Sequence, residues 1–488
     1  MKIPRTMSTQ HPDNVRSPFF AENHILSGDN EIKEAFYRYA HLGIKEQLWD
    51  FEGKDVDSSV VRKLLMKYEP FFREKKLGKD LFLTYRVPNP DVDKNEGKIL
   101  LETLESIPRS SDTARLFYGD DIAPIFEVAI PMVTDATSLI RVAEYYKRFV
   151  VAKENSVLFP GDDALSSWVG RFKPEQINVI PLMEDKDSIL NADKIVKEYL
   201  VREKVKEYQR VWLARSDPAL NYGSLPTVLI EKIGLQRLDT LSQELSLDIP
   251  PILGCGSAPF RGNFKPGNVE GNMKAYPSVQ TFTLQSAFKY DYHEGLVRDA
   301  VETIEAGVCR RPLPVDESCV LPIIDKVSAA YQEQIKLIAP LVNDFSKHIP
   351  RRRKRKLHIG LFGYSRNTEG VRLPRAISFC ASLYSLGLPP ELLGMHTVTS
   401  RDVDVIKEVY PTFMKDLGDA AQFLNNDNLS FFPGKIGEQV KEAVKLVDVA
   451  VHEEHKKATS EMLQEWKSRN AVSTEHIERA GWMRGFLW

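Results

Sequence analysis

The strongest constraint on the fold of this 488-residue chain is a regular alternation of short apolar segments with longer amphipathic ones. The longer segments repeat apolar residues three and four positions apart, as helices do. The short segments predict eight strands, at residues 46–51, 81–87, 125–130, 177–183, 210–216, 249–254, 279–284 and 358–363. Eight strands alternating with helices predict an α/β fold, a closed parallel (β/α)8 barrel of the TIM type. An open doubly wound sheet is the alternative, but no G-x-G-x-x-G segment opens a helix.

The two ends of the chain lack this alternation. Residues 1–42 are predicted to form an N-terminal extension, irregular at first and helical over 31–39. Residues 43–388 hold the predicted barrel. Residues 389–488 are predicted to form a helical, charged region packed on the barrel, and the Pro389-Pro390 pair marks the boundary.

Composition excludes several classes of function. The 66 Lys and Arg residues nearly balance the 68 Asp and Glu residues, which favours neither a nucleic-acid nor a membrane partner. Apolar runs such as 177–183 are far shorter than a membrane span, and no apolar signal region opens the chain. Four cysteines without paired spacing indicate reduced thiols. These features predict a cytoplasmic enzyme, in which the basic run 351–356 is a solvated loop or a subunit contact.

Two acidic residues follow neighbouring predicted strands. Glu184 comes directly after the strand 177–183, and Asp217 follows the strand 210–216. They are 33 positions apart, about the length of one parallel βαβ repeat, so both carboxylates are expected at the same edge of the sheet. Carboxylate oxygens in such a place suit a divalent cation.

Other predicted strand ends are also polar, and several carry arginine. Arginine binds carboxylate and phosphate groups through two parallel hydrogen bonds. The expected ligand is therefore a small molecule that bears both phosphate and carboxylate. The strand-end residues other than the two acids are Asp50, Glu52, Arg86, Arg215, Ser216, Arg261, Gln285, Lys289, Ser365 and Arg366.

A histidine near the N-terminus lies in a polar segment without a core pattern. Pro12 disfavours helical geometry at His11, so the imidazole is expected on a fixed loop. A single loop histidine is more often a surface residue than a catalytic one. Its spacing alone does not decide between the two.

Short motifs spread over nearly the whole chain are similar to those of one enzyme family. They are STQHPDN at 8–14, LTYRVPNP at 83–90, PLME at 181–184, RSD at 215–217, QSAFKYDY at 285–292, GYSR at 363–366 and RAI at 375–377. Together they resemble archaeal-type phosphoenolpyruvate carboxylase, the short form of that enzyme. The resemblance implies a barrel, Mg²⁺ or Mn²⁺, a homotetramer, and carboxylation of phosphoenolpyruvate by bicarbonate to oxaloacetate and phosphate. The implied route passes through carboxyphosphate and a metal-bound pyruvate enolate.

The resemblance also implies roles for single residues, by motif. Glu184 and Asp217 match the family's metal-binding acids, and His11 matches the catalytic histidine of the T-x-H-P signature. Arg261 is similar to the second arginine of the glycine-rich loop, with a catalytic and substrate-binding role. The implied substrate-binding arginines are Arg86, by strand position and residue type only, Arg261, Arg366 and Arg375.

The sequence departs from the longer bacterial and plant enzymes at several positions. Leu253 and Cys255 stand where those enzymes have His and Arg in the glycine-rich loop, and Leu220 stands where they have lysine. The C-terminal residues 483–488 do not match their ending. No effector site is predicted from the resemblance.

Two other functions remain compatible with parts of the pattern. A metal-dependent barrel C–C lyase acting on a 2-oxo acid or acyl-CoA would share the acids and arginines but would release no phosphate. A nucleic-acid-binding protein would use the basic run 351–356, but that run has no interleaved aromatic residues and does not explain the polar strand ends.

Overall fold

The computed structural model describes residues 2–22, 25–353 and 371–488, together with the backbone of 366–368. Eight parallel strands form a closed barrel in sequential order. They are β1 (Thr6–Ser8), β2 (Glu46–Asp50), β3 (Phe82–Arg86), β4 (Glu127–Ile130), β5 (Asn178–Met183), β6 (Val211–Leu213), β7 (Pro251–Leu253) and β8 (Thr281–Leu284). Arg366–Thr368 (β9) and Val371–Leu373 (β10) form a separate antiparallel pair.

The predicted (β/α)8 barrel is confirmed, but its membership differs at one strand. The barrel closes through β1, which pairs with both β2 and β8. This strand lies within the segment 1–42 that we predicted to be an extension, because three residues are too few to show a strand pattern. The predicted strand 358–363 lies outside the described residues, and the barrel is complete without it. The division at residues 42 and 388 stays a prediction.

Helices surround the barrel and continue into the C-terminal region. Those preceding β8 are α1 (Asp29–Ala40), α2 (Val60–Lys67), α3 (Glu69–Glu74), α4 (Gly97–Tyr118), α5 (Ala136–Tyr145), α6 (Leu165–Val169), α7 (Lys186–Leu190), α8 (Ala192–Glu203), α9 (Ser216–Tyr222), α10 (Ser224–Leu245) and α11 (Val269–Ala275). Those following β8 are α12 (Ser286–Tyr290), α13 (Glu294–Ala306), α14 (Glu317–Phe345), α15 (Ala376–Ser385), α16 (Ser400–Val409), α17 (Phe413–Ala421), α18 (Ile436–Val444), α19 (Glu453–Arg469) and α20 (Thr474–Arg484).

The barrel interior has a polar layer at the amino-terminal end of the strands. The Arg210 guanidinium donates to Glu46 at 2.7 and 2.9 Å, to Glu127 at 2.8 Å and to Thr281 at 3.2 Å. These residues begin or immediately precede the even-numbered strands, as expected for one layer of a barrel core. Apolar side chains fill the layers above, including Met7, Leu48, Ile180, Trp212 and Ile252.

No single helix in the described ranges is long and apolar enough to cross a membrane. Among the described residues, one pair of helical segments is long and apolar enough when taken together. It consists of α15 and Pro390–Thr397, which meet at a 94° bend. Most of α15 is buried in the protein.

Candidate active site

A small cavity of about 70 Å³ opens where the barrel strands end. Six of the seven predicted site residues line it. The side chain of the seventh, Arg366, lies outside the described part of the structure. The lining residues are His11, Glu52, Arg86, Met132, Glu184, Ser216, Asp217, Arg261, Arg375, Ala376 and Ile377.

The two acids predicted to bind a metal both reach this cavity. Glu184 directly follows β5 and accepts a hydrogen bond from the amide of Met132 at 3.0 Å. Met132 has a positive φ of 53°. Strand β6 ends at Leu213, earlier than predicted, so Asp217 lies in the first turn of α9.

This pair of carboxylates fits a hard divalent cation. Within the described ranges, no group of three or more His, Cys, Asp or Glu side chains is placed to hold a metal by itself. Mg²⁺ is commonly bound by one or two carboxylates, with water and substrate oxygens completing its coordination. The donor set therefore fits an ion that is bound jointly with an anionic substrate.

Arg86 lines the cavity but is held by two acids. Asp50 and Arg86 are register partners at the ends of β2 and β3, and the guanidinium donates to both Asp50 carboxylate oxygens at 2.8 and 2.9 Å. Glu52 lies 3.0 Å from the same guanidinium. Burial alone lowers the pKa of Arg86, but Asp50 and Glu52 outweigh it and hold that pKa well above its usual value. Arg86 is therefore a fixed positive charge at the cavity wall.

Arg261, unlike Arg86, is not held by hydrogen bonds to any described carboxylate. It is fully buried in a tight turn after β7, and its Nε donates to Ser216 Oγ at 2.9 Å. Among the residues that the structure describes, neither of its terminal amino groups has a hydrogen-bond partner. The nearest carboxylate oxygen, on Asp13, is 3.7 Å from Nη1. A buried guanidinium with free donors beside a cavity is suited to receive an anion.

Arg375 lies at the N-cap position of α15. Burial lowers the pKa of its guanidinium, while the nearby Glu52 and Asp217 carboxylates oppose that shift. Arg366 begins β9, and its backbone pairs with Leu373, two residues before Arg375. The β9–β10 pairing therefore places the backbone of Arg366 beside the segment that leads to Arg375.

His11 lies in the loop that follows β1, at the same end of the barrel as the other residues. Burial lowers the pKa of its imidazole well below the usual value, and Arg86 and Arg261 act in the same direction. The imidazole is therefore neutral near pH 7. Its Nδ1 is buried and has no hydrogen-bond partner among the described residues. A neutral imidazole with an unused nitrogen in a cationic cavity is equipped to take a proton.

Some of the predicted polar strand ends serve the structure instead. Arg215 is not among the described residues that line the cavity, and it donates to Glu231 at 2.9 Å and to Tyr276 at 2.6 Å. Lys289 is buried and donates to Ser8 Oγ and the Thr9 carbonyl at 2.8 and 2.7 Å. Asp13 was not predicted, although it belongs to the STQHPDN motif. Nothing in the sequence indicated the Met132 amide.

Barrels of this type carry their chemistry at the carboxyl ends of the strands. A cavity there, lined by arginines and carboxylates, makes this chain a (β/α)8-barrel enzyme for a small anionic substrate. A family model described as phosphoenolpyruvate carboxylase matches residues 3–488. The chain belongs to the phosphoenolpyruvate carboxylase family.

Similar proteins cover the chain from end to end. A phosphoenolpyruvate carboxylase of Methanospirillum hungatei is 48% identical over 488 residues, which are the whole of both chains. One from Methanothermobacter thermautotrophicus is 48% identical over 489 residues, again all of both chains. One from Pyrococcus furiosus is 51% identical over 439 residues, 90% of each chain. Among solved structures, a Haloferax volcanii malate synthase covers 68% of this chain and 80% of its own, with 13% identity and a TM-score of 0.38.

Proposed function

We propose that this protein carboxylates phosphoenolpyruvate with bicarbonate, giving oxaloacetate and inorganic phosphate. Family membership supports the reaction. The observation that assigns the reaction to these residues is Arg261. Its buried terminal amino groups have no hydrogen-bond partner among the described residues, and it lines a cavity that Glu184 and Asp217 also line. A substrate with a phosphate and a carboxylate uses both kinds of group.

The arginines bind the transferring phosphoryl group. Phosphoryl transfer needs positioning and charge stabilisation more than covalent help from the protein. A bicarbonate oxygen attacks phosphorus, the enolate of pyruvate leaves, and carboxyphosphate forms. Arg261, together with Arg375 and Arg366, offsets the charge on the phosphoryl oxygens during this step. Substrate binding by Arg86 stays a prediction, since its donors are engaged by Asp50 and Glu52.

Glu184 and Asp217 hold Mg²⁺ or Mn²⁺ in this proposal. Such an ion supplies Lewis-acid stabilisation to substrate oxygens that gain negative charge. The two carboxylates would hold the ion in the cavity that Arg261 and Arg375 also line. Asp217 also acts on Arg375, because its negative charge opposes the lowering of the Arg375 pKa by burial.

His11 takes the proton of carboxyphosphate, which then breaks down to CO₂ and phosphate. Burial, with the charges of Arg86, Arg261 and Arg375 acting in the same direction, lowers the pKa of the imidazole and keeps it neutral before substrate enters. A bound phosphoryl group offsets these positive charges, so the imidazole becomes a stronger base when the substrate is present. The enolate carbon then attacks CO₂. The small volume of the cavity limits escape of CO₂ and entry of water that would protonate the enolate.

The test is one assay of phosphate release. Purified protein with phosphoenolpyruvate and Mg²⁺ is expected to release phosphate only when bicarbonate is added, with one oxaloacetate formed per phosphate. A C–C lyase acting on a 2-oxo acid or acyl-CoA would release no phosphate. The absence of bicarbonate-dependent phosphate release with either Mg²⁺ or Mn²⁺ would overturn the proposal.

We also propose that the enzyme is a cytoplasmic homotetramer, as its resemblance to the archaeal-type enzymes implies. Light scattering of the purified protein is expected to give the mass of four 55.6 kDa chains. A single-chain mass at the concentration used for the assay would contradict this.

A further inference from the structure

The last three residues of the chain, Phe486, Leu487 and Trp488, are almost completely buried. We refer to them as the C-terminal tripeptide 486–488. The roles proposed for the cavity residues do not use this segment.

The tripeptide ends directly on the loop that carries His11. The Leu487 amide donates a hydrogen bond to the Asp13 carbonyl at 2.9 Å. The Asp13 carboxylate accepts from the Ala287 amide at 2.6 Å and lies 3.7 Å from the Arg261 guanidinium. One residue therefore joins the chain terminus, the His11 loop and the buried arginine.

Phe486 adds apolar packing contacts to these hydrogen bonds. Its ring lies in one buried cluster with Ala258, Ala287, Tyr384 and Phe423, and its centroid is 5.2 Å from that of Tyr384. Ala258 precedes Arg261 in the turn after β7, Ala287 is the residue that donates to Asp13, and Tyr384 is on α15, the helix that follows Arg375. The ring therefore packs where the segments carrying Arg261 and Arg375 meet the residue that holds Asp13.

The tripeptide is itself held firmly by the preceding helix. Arg484 donates to the Leu487 carbonyl at 3.0 Å and contacts His455 Nε2 at 2.9 Å. Gly485 adopts a φ of 78°, and its carbonyl accepts from the Tyr292 hydroxyl at 3.2 Å. A side chain at position 485 would meet that hydroxyl at 2.6 Å, so the turn requires glycine.

A second set of contacts holds the same loop from its other side. The Arg16 guanidinium stacks on the Trp482 ring of α20 at 3.5 Å. The amides of Val15 and Arg16 donate to the Asp291 carboxylate at 2.7 and 2.8 Å. The segment 13–16 is therefore fixed between α20 and the segment that follows β8.

We propose that Phe486 is a positioning residue, and that the C-terminal tripeptide 486–488 fixes the His11 loop relative to Arg261. This rests on the function proposed above. A displacement of about 1 Å between reacting groups costs about 100-fold in rate, so a looser tripeptide misplaces the imidazole without removing any group that touches substrate. Carboxyphosphate then breaks down out of place, and the enolate is protonated to pyruvate instead of attacking CO₂.

The experiment compares Phe486→Ala and Phe486→Leu with Phe72→Ala. Phe72 is an equally buried phenylalanine on α3. It packs against Tyr39 and Phe71 and does not line the cavity. All three proteins are assayed well below their melting temperatures. Phe486→Ala is expected to lower oxaloacetate formation about 10- to 100-fold and to raise the ratio of phosphate to oxaloacetate above one. Phe486→Leu should restore most of the rate of oxaloacetate formation and bring the product ratio back towards one. Phe72→Ala should lower only the melting temperature.

Hydrogen exchange supplies a measurement that does not depend on turnover. The amides of Val15, Arg16 and Ala287 should exchange faster in Phe486→Ala than in Phe72→Ala. Unchanged exchange and an unchanged product ratio in Phe486→Ala would overturn the proposal. If Phe486→Ala does not fold, the same two readings are taken on Phe486→Val, which removes the ring but leaves a larger apolar side chain than alanine, and unchanged exchange and product ratio there would overturn the proposal. A wild-type protein without bicarbonate-dependent phosphate release would instead overturn the proposed function, and the exchange result would still test the positioning role.

Discussion

At the scale of single residues, the buried arginines divide according to what their side chains contact. Arg86 and Arg215 each give their donors to carboxylates of this chain. Arg261 gives only Nε to a neighbour, Ser216, and none of the described residues accepts from its terminal amino groups. Because a buried, unpaired donor costs roughly 1–3 kcal/mol, the fold holds Arg261 in a state that an anionic ligand stabilises.

Replacement of His11 by asparagine should separate substrate binding from carboxylation. His11→Asn removes the base but keeps a polar side chain of similar size. We expect phosphoenolpyruvate binding to be retained and oxaloacetate formation to fall about 10²- to 10⁴-fold, the usual contribution of general acid–base catalysis. Equilibrium binding and steady-state turnover measure the two effects. Full turnover in this variant would remove His11 from the mechanism.

The pH dependence of the wild-type enzyme follows from the same imidazole. Only its neutral form accepts a proton, and burial together with Arg86 and Arg261 lowers its pKa in the free protein. Plots of kcat/KM against pH should therefore hold their plateau below the ordinary histidine pKa of about 6.5, and fall only at more acidic pH. An acid limb centred at or above 6.5 would contradict this assignment.

Replacement of Asp217 should affect the metal requirement. Asp217→Asn keeps the shape of the side chain but removes the charge, so we expect the metal concentration for half-maximal activity to rise at least about tenfold. Asp325→Asn is the matched control, since Asp325 is exposed and pairs with Lys186 at the surface. Equal metal dependence of the two variants would show that the metal ligands are misassigned.

At the scale of secondary-structure elements, the polar layer under the barrel core ties alternate strands together. Arg210 reaches Glu46 on β2, Glu127 on β4 and Thr281 on β8 from its position before β6. Burial raises the pKa of Glu127, and Arg210 opposes that rise. The arginine therefore keeps two buried carboxylates compatible with the interior of the barrel.

Removal of Arg210 should destabilise the protein strongly. Arg210→Met leaves Glu46 and Glu127 without their partner, and we expect a loss of about 3–5 kcal/mol in the free energy of unfolding. The triple variant Arg210→Met, Glu46→Gln, Glu127→Gln should recover much of that loss because no charge is left buried. Chemical denaturation measures both.

An exposed pair supplies the control for this experiment. Lys197 and Glu244 are about half exposed and lie 2.6 Å apart. Lys197→Met should change the free energy of unfolding by less than about 1 kcal/mol. A comparably small effect of Arg210→Met would mean that the polar layer is not needed for stability.

At the scale of the whole molecule, the C-terminal region contacts the loop that follows β1. Helices α19 and α20 meet through the contact of His455 with Arg484, and the chain end reaches the His11 loop. Burial, with Arg484 and His452 in the same direction, lowers the pKa of His455 to about 2. The folded protein therefore keeps this imidazole neutral over most of the acid range.

This histidine should make global stability depend on pH. The unfolded chain takes up a proton at about pH 6.5 and the folded protein does not. The stabilisation is present in full above about pH 6.5 and is lost progressively as the pH falls towards the folded pKa. Between pH 7 and pH 5, His455→Gln should lose about 2 kcal/mol less than the wild type in free energy of unfolding. Identical losses would contradict the assignment.

The sequence alone determined the features that depend on local periodicity and on strand order. Seven of the barrel strands were predicted within a few residues, since alternating apolar segments specify strands and helices locally. The shared location of Arg86, Glu184 and Arg261 at or after the ends of their strands was predicted as well, because parallel strands end at one edge of the sheet. The family motifs added His11 and Arg375.

Only the tertiary structure decided which of these groups act on one another. Strand β1 is three residues long, and its membership in the barrel depends on pairing with β2 and β8, which are distant in sequence. The same closure brings His11 to the cavity. Whether an arginine is free or engaged depends on partners up to 248 positions away, as Asp13 is from Arg261. The burial of the C-terminal tripeptide 486–488 against the His11 loop likewise arises from long-range packing, which no local pattern records.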